Sequence, residues 1–214
     1  SYSSINQFGS LSNGPIIVIE TKKAVSNKLT INYLTQLSVE KFAKYADVLS
    51  SDEYLKTNNS TDYGYSTDWF DKIMQKSFNQ QHFVSAGIGS QQIKAYSSFS
   101  YRKMDGVVKK SDNQEVKCFL NIEANAINNR LTINLSSRLN RTKANPTNFQ
   151  VLEQAIKYNP TQRPYDDEGN YNSSNDYKYY NPVNLLNESD LQDKLNENFV
   201  KGYVGFKISD NWSL

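Results

Sequence analysis

The chain of 214 residues has one cysteine, Cys118, and one histidine, His82. A single cysteine forms no disulfide within the chain, and with one histidine beside it zinc clusters are out of reach. His82 has no serine or cysteine placed with it to make a nucleophile and base. It reads as a strand-end residue at an interface, and Cys118 reads as a member of an apolar face. Charge of one sign is also lacking. The 24 basic and 22 acidic residues are spread along the chain with no basic block, which removes the usual basis for nucleic-acid binding. No run of roughly 18 apolar residues occurs, so a membrane-spanning helix is excluded. A membrane is not, because a barrel strand needs only about 10 residues with every second one apolar. No signal peptide precedes Ser1, and the chain reads as processed or as beginning within a longer protein.

What the chain does have is alternation, concentrated between Phe83 and Asn140. Ile93, Ala95, Ser97, Phe99 and Tyr101 share one parity, against Lys94, Tyr96, Ser98, Ser100 and Arg102. Val116, Cys118, Leu120, Ile122, Ala124 and Ala126 stand against Lys117, Asn121, Glu123 and Asn125. Leu131, Ile133, Leu135 and Leu139 stand against Thr132, Asn134, Ser136, Arg138 and Asn140. Period two means strands with one apolar and one wet face. Lys28 to Leu37 repeats the pattern until Leu34 breaks it. His82 to Ile88 reads as a further strand, and the pattern resumes at Val200, Gly202, Val204, Phe206 and Ile208, with a last strand opening at Trp212. Pro15 to Lys23 reads as a short strand covered on both sides.

Tight turns are expected at Gly89-Ser90-Gln91, Asn128-Asn129 and Ser209-Asp210-Asn211, and a medium connection through Asp105-Gly106. Two long excursions, 39–79 and 141–193, carry helical pieces. Ser50 or Ser51 is expected to cap a turn around Asp52 to Lys56. Ser66 or Thr67 is expected to cap a helix with Trp69, Phe70, Ile73 and Met74 on one face, and Thr147 with Gln150 to make a capping box before Val151 to Ile156. All short connections fall at one end of the sheet and all longer ones at the other. That asymmetry is typical of transmembrane barrels. A soluble up-and-down barrel or sandwich, such as an extracellular glycan-binding module, remains the alternative, because alternation alone serves both.

The run Phe8 to Lys23, with its Ser-Asn-Gly turn and terminal Thr-Lys-Lys, resembles the end of the plug domain in the SusC-like TonB-dependent outer-membrane transporters. Tyr45 to Tyr54, Thr67 to Phe70, Gln81 to Gly89, Tyr101 to Gly106, Leu135 to Lys143, Tyr158 to Thr161, Tyr165 to Asn170 and Tyr179 to Val183 resemble, in that order, the strands and loops that follow. Pro15 departs from the aliphatic residue usual there. The resemblance implies an all-β fold: about seven antiparallel strands of a roughly 22-stranded transmembrane barrel, with the end of a plug domain over 1–25 and the barrel from 26. It implies a fragment of an importer of oligosaccharides or peptides in the bacterial outer membrane. The partners would be a SusD-like lipoprotein, TonB through an absent N-terminal segment, lipid, and the rest of the barrel. No cofactor and no covalent chemistry are implied.

On this reading Ile93, Phe99, Tyr101, Leu120, Ile122, Leu131, Ile133, Val204, Phe206 and Ile208 face lipid. Lys94, Tyr96, Arg102, Lys117, Glu123, Asn125 and Arg138 face the lumen. A soluble core and a solvated outer face are the corresponding plain alternatives. Tyr165, Tyr171, Tyr177, Tyr179 and Tyr180 offer stacking faces and hydroxyls to a ligand, or simply pack among loops. Trp69 is a ligand candidate too, although its apolar helical face favours packing. The acidic turn Asp166 to Glu168 lacks the alternating spacing and terminal bidentate glutamate of a calcium loop and reads as a solvated turn, with no metal expected.

Overall fold

The computed structural model describes residues 27–57, 61–172, 179–209 and 212–213. The expected plug-end strand, with the whole of 1–25, lies outside the described residues, as do Tyr177 and the Asp210-Asn211 turn. Six long strands and one short one form a single antiparallel meander in sequence order: β1 (Thr30–Glu40), β2 (Ser77–Gly89), β3 (Ile93–Asp105), β4 (Asp112–Ala126), β5 (Leu131–Asn145), β6 (Asp193–Ser209) and β7 (Trp212–Ser213). The two tight turns among the described residues fall where expected. Ser90 N–H donates to the Ile93 carbonyl at 2.6 Å, and Ile127, Asn128 and Asn129 all take positive φ, a conformation that asparagine tolerates better than most residues.

The strands run further toward the loop end than alternation predicts, so the long connections are 41–76 and 146–192. Val39, Glu40 and 77–79 belong to strands, as do 141–145 and Asp193. The medium connection closes with Gly106 N–H donating to the Ser111 carbonyl at 2.7 Å, and its positive φ lies at Lys110 rather than at Gly106.

Four short helices occupy the long connections: α1 (Ser51–Leu55), α2 (Trp69–Ile73), α3 (Phe149–Lys157) and α4 (Pro182–Glu188). Ser50 caps α1 in a reciprocal capping box with Glu53, and its hydrogen bonds hold the Glu53 carboxyl below the ordinary range. Two expected caps move. Asp68, not Ser66 or Thr67, accepts from Asp71 N–H at 3.1 Å to start α2, because the Thr67 hydroxyl is engaged by the Gln162 carbonyl at 2.6 Å. Asn148, not Thr147, starts α3 by accepting from Gln150 N–H at 3.0 Å, so no Thr147 capping box forms. The sequence reading did not foresee α4, although Asn181 as cap followed by proline in the first turn is a recognised start signal.

The buried apolar core lies among these connections and not between sheets. Trp69, Phe70 and Ile73 of α2, Val108 from the β3–β4 connection, Val151, Ala155 and Tyr158 at α3, and Val183 and Leu186 of α4 pack into one cluster. Ile73 and Val151 are fully buried; burial of each such side chain contributes about 1.5–3 kcal/mol. Backbone bonds stitch the two long connections together, Thr67 N–H to the Pro160 carbonyl at 2.9 Å and Tyr65 N–H to Thr161 at 3.1 Å. Lys109 N–H to Ile73 at 2.9 Å ties in the third connection.

Candidate functional site

Directly paired residues on antiparallel strands project from the same side of a sheet, so the register sorts every side chain into one of two faces. On the first face successive rows cross the strands from the turn end: Ala126, Leu131 and Phe206; Ile93, Ala124, Ile133 and Val204; Ile88, Ala95, Ile122, Leu135 and Gly202; Ile31, Ala86, Ser97, Leu120, Ser137 and Val200; then Tyr33, Val84, Phe99, Cys118, Leu139 and Asn198. These five rows carry no charge. At about 6.7 Å per row they extend ~27 Å along the strands, or roughly 20 Å along the normal at the tilt of about 40° usual in membrane barrels. Among the described residues nothing covers this face: Phe99, Ile133 and Leu135 are 42–43% exposed and Val204 is 66% exposed. An uncovered apolar surface of that size marks an interaction site for a membrane or another protein.

Beyond the belt comes a row of Thr35, His82, Tyr101, Val116, Arg141 and Asn196. His82 lies between the rings of Tyr33 and Tyr101, at centroid distances of 6.2 and 6.5 Å, with its Nδ1 2.8 Å from the Tyr33 hydroxyl and 3.2 Å from Thr35 Oγ1.

The second face is polar and cross-linked. Lys94 pairs with Glu123 at 3.8 Å, and Glu115 bridges Arg102 at 3.3 Å and Lys117 at 2.8 Å. Thr132 Oγ1 donates to Asn125 at 3.0 Å. Tyr96 and Arg138 lie on the same side by register. A concavity of about 470 Å³ opens here between Gln81, Phe83, Tyr96, Arg102, Lys117 and Arg138. Buried Arg102 Nε has no hydrogen-bond partner among the described residues. The sequence reading missed Glu115 as the hub of this network. It also missed Phe83 and Phe119, two of the aromatic residues on the polar parity.

At the loop end, Tyr165 and Tyr171 form an isolated bridge with ring centroids 5.2 Å apart. Tyr179 and Tyr180 are exposed. Trp69 is not with them. Its indole is 3% exposed, donates to the Asn159 carbonyl at 3.1 Å and meets Tyr158 edge-on at 4.9 Å, so it presents no face to solvent. Burial, with Tyr63 nearby, pushes the Tyr158 phenol up to about 12.

The Asp166 carboxylate accepts from the backbone N–H groups of Glu168 and Asn170 and from the Asn170 side chain. These bonds lower its pKa, the Asn170 backbone bond most. Its oxygens are occupied within the turn. Among the described residues no group of acidic, histidine or cysteine side chains is arranged to hold a metal ion.

A two-faced meander with an uncharged outer belt, a paired polar face, tight turns at one end and helical loops at the other is a section of a transmembrane β-barrel wall. Solved structures agree: the chain superposes on the RagAB peptide transporter with a TM-score of 0.67 over 89% of its length, at 14% identity, and equally on the RagAB peptide importer in its "open-open" state. The sequence carries the relationship to a particular kind of barrel. The chain is 26% identical over 227 residues to the TonB-dependent receptor SusC of Bacteroides thetaiotaomicron, covering 92% of itself. It is 25% identical over 220 residues to the TonB-dependent receptor P3 of Formosa agariphila, covering 95%. Its sequence is similar to SusC-like TonB-dependent receptors, and its fold matches that of the solved transporter chains. No family model matches it. It spans 23% and 22% of the two curated relatives and 27% of the solved chains. These relatives are named as receptors and transporters, not as enzymes.

Proposed function

We propose that the chain forms part of an active transporter in the bacterial outer membrane, importing oligosaccharides or peptides with a SusD-like surface lipoprotein and energised through TonB. The single observation that supports this most is the register of the uncharged belt. Side chains from six strands align into one uncovered apolar band, where a self-contained soluble domain would turn that face inward against itself. On this reading the belt residues Ile93, Phe99, Leu120, Ile122, Leu131, Ile133 and Phe206 meet lipid, Tyr101 sits at its aromatic rim, and the ion-paired face lines the lumen. Residues 1–25 end the plug and 26–214 open the barrel. The remaining strands would close it, because an open sheet edge is not tolerated in hydrocarbon. Exposed Tyr165, Tyr171, Tyr179 and Tyr180, with Tyr177 on the same connection, supply stacking surfaces for ligand or lid. The peptide option draws support from the RagAB likeness, and the oligosaccharide option from the SusC-like sequence.

The test compares uptake of labelled oligopeptides and oligosaccharides by cells with and without the protein, before and after the proton gradient is dissipated. Gradient-dependent uptake lost with the protein is expected, together with its recovery from the outer-membrane fraction. Recovery in the soluble fraction, or uptake indifferent to the gradient, overturns the proposal.

A further inference from the structure

The cations on the belt face are distributed unevenly. None lies in the five uncharged rows. One row beyond them stands Arg141, and one row further the register reads Leu37, Gln80, Lys103, Gln114, Lys143 and Lys194. Lys143 and Lys194 are directly paired across β5 and β6. Like charges at directly opposite positions, with Cβ atoms about 5 Å apart, destabilise a sheet, so this placement calls for a counter-charge. The nearby acids on this face do not supply it: Asp105 pairs with Lys103 at 3.5 Å, and Asp112 accepts from the side chains of Asn145 and Gln114. Among the described residues Arg141, Lys143 and Lys194 form no ion pair. Lys143 and Lys194 are exposed. The next polar face, with Glu115 and Glu197, points to the opposite side of the sheet.

Resting on the membrane placement proposed above, we infer that Arg141, Lys143 and Lys194, flanked by Lys103, form a binding site on the outside of the barrel for the phosphorylated headgroup of an outer-leaflet glycolipid, lipid A. The depth fits. The two lysines stand about 13 Å along the strand past the last uncharged row, in the headgroup layer, and at the loop end, which faces outward in such barrels. The chemistry fits as well. Phosphate oxygens bridge the two ammonium groups and reach the Arg141 guanidinium one row below, while the amides of Gln114, Asn145 and Asn196 are spaced among them for sugar hydroxyls. The turn end of the same face, ending in Ala126, Leu131 and Phe206, has no such cluster among the described residues, so the site distinguishes the two leaflets.

The test uses the intact transporter purified from the outer membrane in detergent and analysed by native mass spectrometry, titrated with bis-phosphorylated lipid A, with dephosphorylated lipid A, with phosphatidylglycerol and with inorganic phosphate. Bis-phosphorylated lipid A is expected to bind best. Lys143→Gln/Lys194→Gln should weaken it roughly 25-fold, at about fivefold per near-surface cation, and leave binding of dephosphorylated lipid A unchanged. Lys201→Gln, on the opposite face, should leave lipid A binding unchanged. Should the double variant misfold, Lys194→Gln alone is to give the fivefold loss. Equal binding by the variants and the parent overturns the site. Phosphatidylglycerol binding as well as lipid A makes it a general anionic-lipid site, and inorganic phosphate displacing lipid A at equal concentration makes it a free-anion site; either overturns the assignment. A soluble, detergent-independent protein would refute the membrane reading itself. A membrane-embedded protein with unaltered lipid A binding refutes only this inference.

Discussion

Leu135 is the most informative position on the belt. It lies in the third of the five uncharged rows, paired with Ile122 on one side and Gly202 on the other, and is 42% exposed. Two rows separate it from either edge of the belt, about 13 Å along the strand and roughly 10 Å along the bilayer normal at a tilt of about 40°. On the proposed membrane placement, Leu135→Arg puts a guanidinium close to the midplane, where the cost on a barrel's lipid face is about 2–4 kcal/mol. Tyr101→Arg sits beyond the last uncharged row, where the same charge costs about 0–1 kcal/mol. Surface substitutions in water stay within about 0.5 kcal/mol at either position. Denaturant unfolding of the full transporter in lipid vesicles reads the difference as a shift in midpoint at constant slope. A gap of at least about 1 kcal/mol between the two variants is expected from the quoted ranges. Equal effects at the two positions, or no effect at Leu135, would refute the depth argument and with it the bilayer as the environment of this face.

Three further outcomes follow from the loop end. Ile73→Ala removes a fully buried side chain from the loop core and should cost that core about 2–5 kcal/mol, read as faster limited proteolysis within 41–76 and 146–192 while the barrel's heat-modifiable mobility is unchanged. Tyr158 has its pKa raised from the ordinary 10 to about 12 by burial. Its contribution is therefore intact below pH 10 and is lost as pH rises from about 10 through about 12, because the unfolded chain loses its proton first; in Tyr158→Phe the alkaline increase in loop proteolysis over that window should shrink. Asp166 is depressed by its turn hydrogen bonds, so its contribution is present above the ordinary aspartate pKa of about 3.9 and is lost as pH falls through the lower folded value. Asp166→Asn should show less acid loosening of the 163–172 turn by amide exchange.

The strands were legible wherever each parity had one character, as in Ile93 to Arg102 or Leu131 to Asn140. They were cut short at Ser77, Asn79 and Gln80, where both parities are polar and period two leaves no trace. The helices were legible as apolar faces but not at their starts. Thr67 looks like a cap and instead bonds to Gln162, a partner far along the chain that no local rule identifies. Trp69 showed its packing role in its spacing with Phe70 and Ile73. Its partners Asn159 and Tyr158 belong to a different connection, so the shape of the loop core was not readable. The Glu115 bridge was hidden for a similar reason, since only the β3–β4 register brings it to Arg102.

The loop core draws one helix from the first long connection, a valine from the middle one and two helices from the last, with Trp69 and Asn159 90 residues apart. Only α3 and α4 meet within one connection; α2 reaches them across β2 to β5, so closing the whole cluster costs more chain entropy than pairing neighbouring strands. Its protection against protease is therefore expected to report that the strands lying between α2 and α3 have paired.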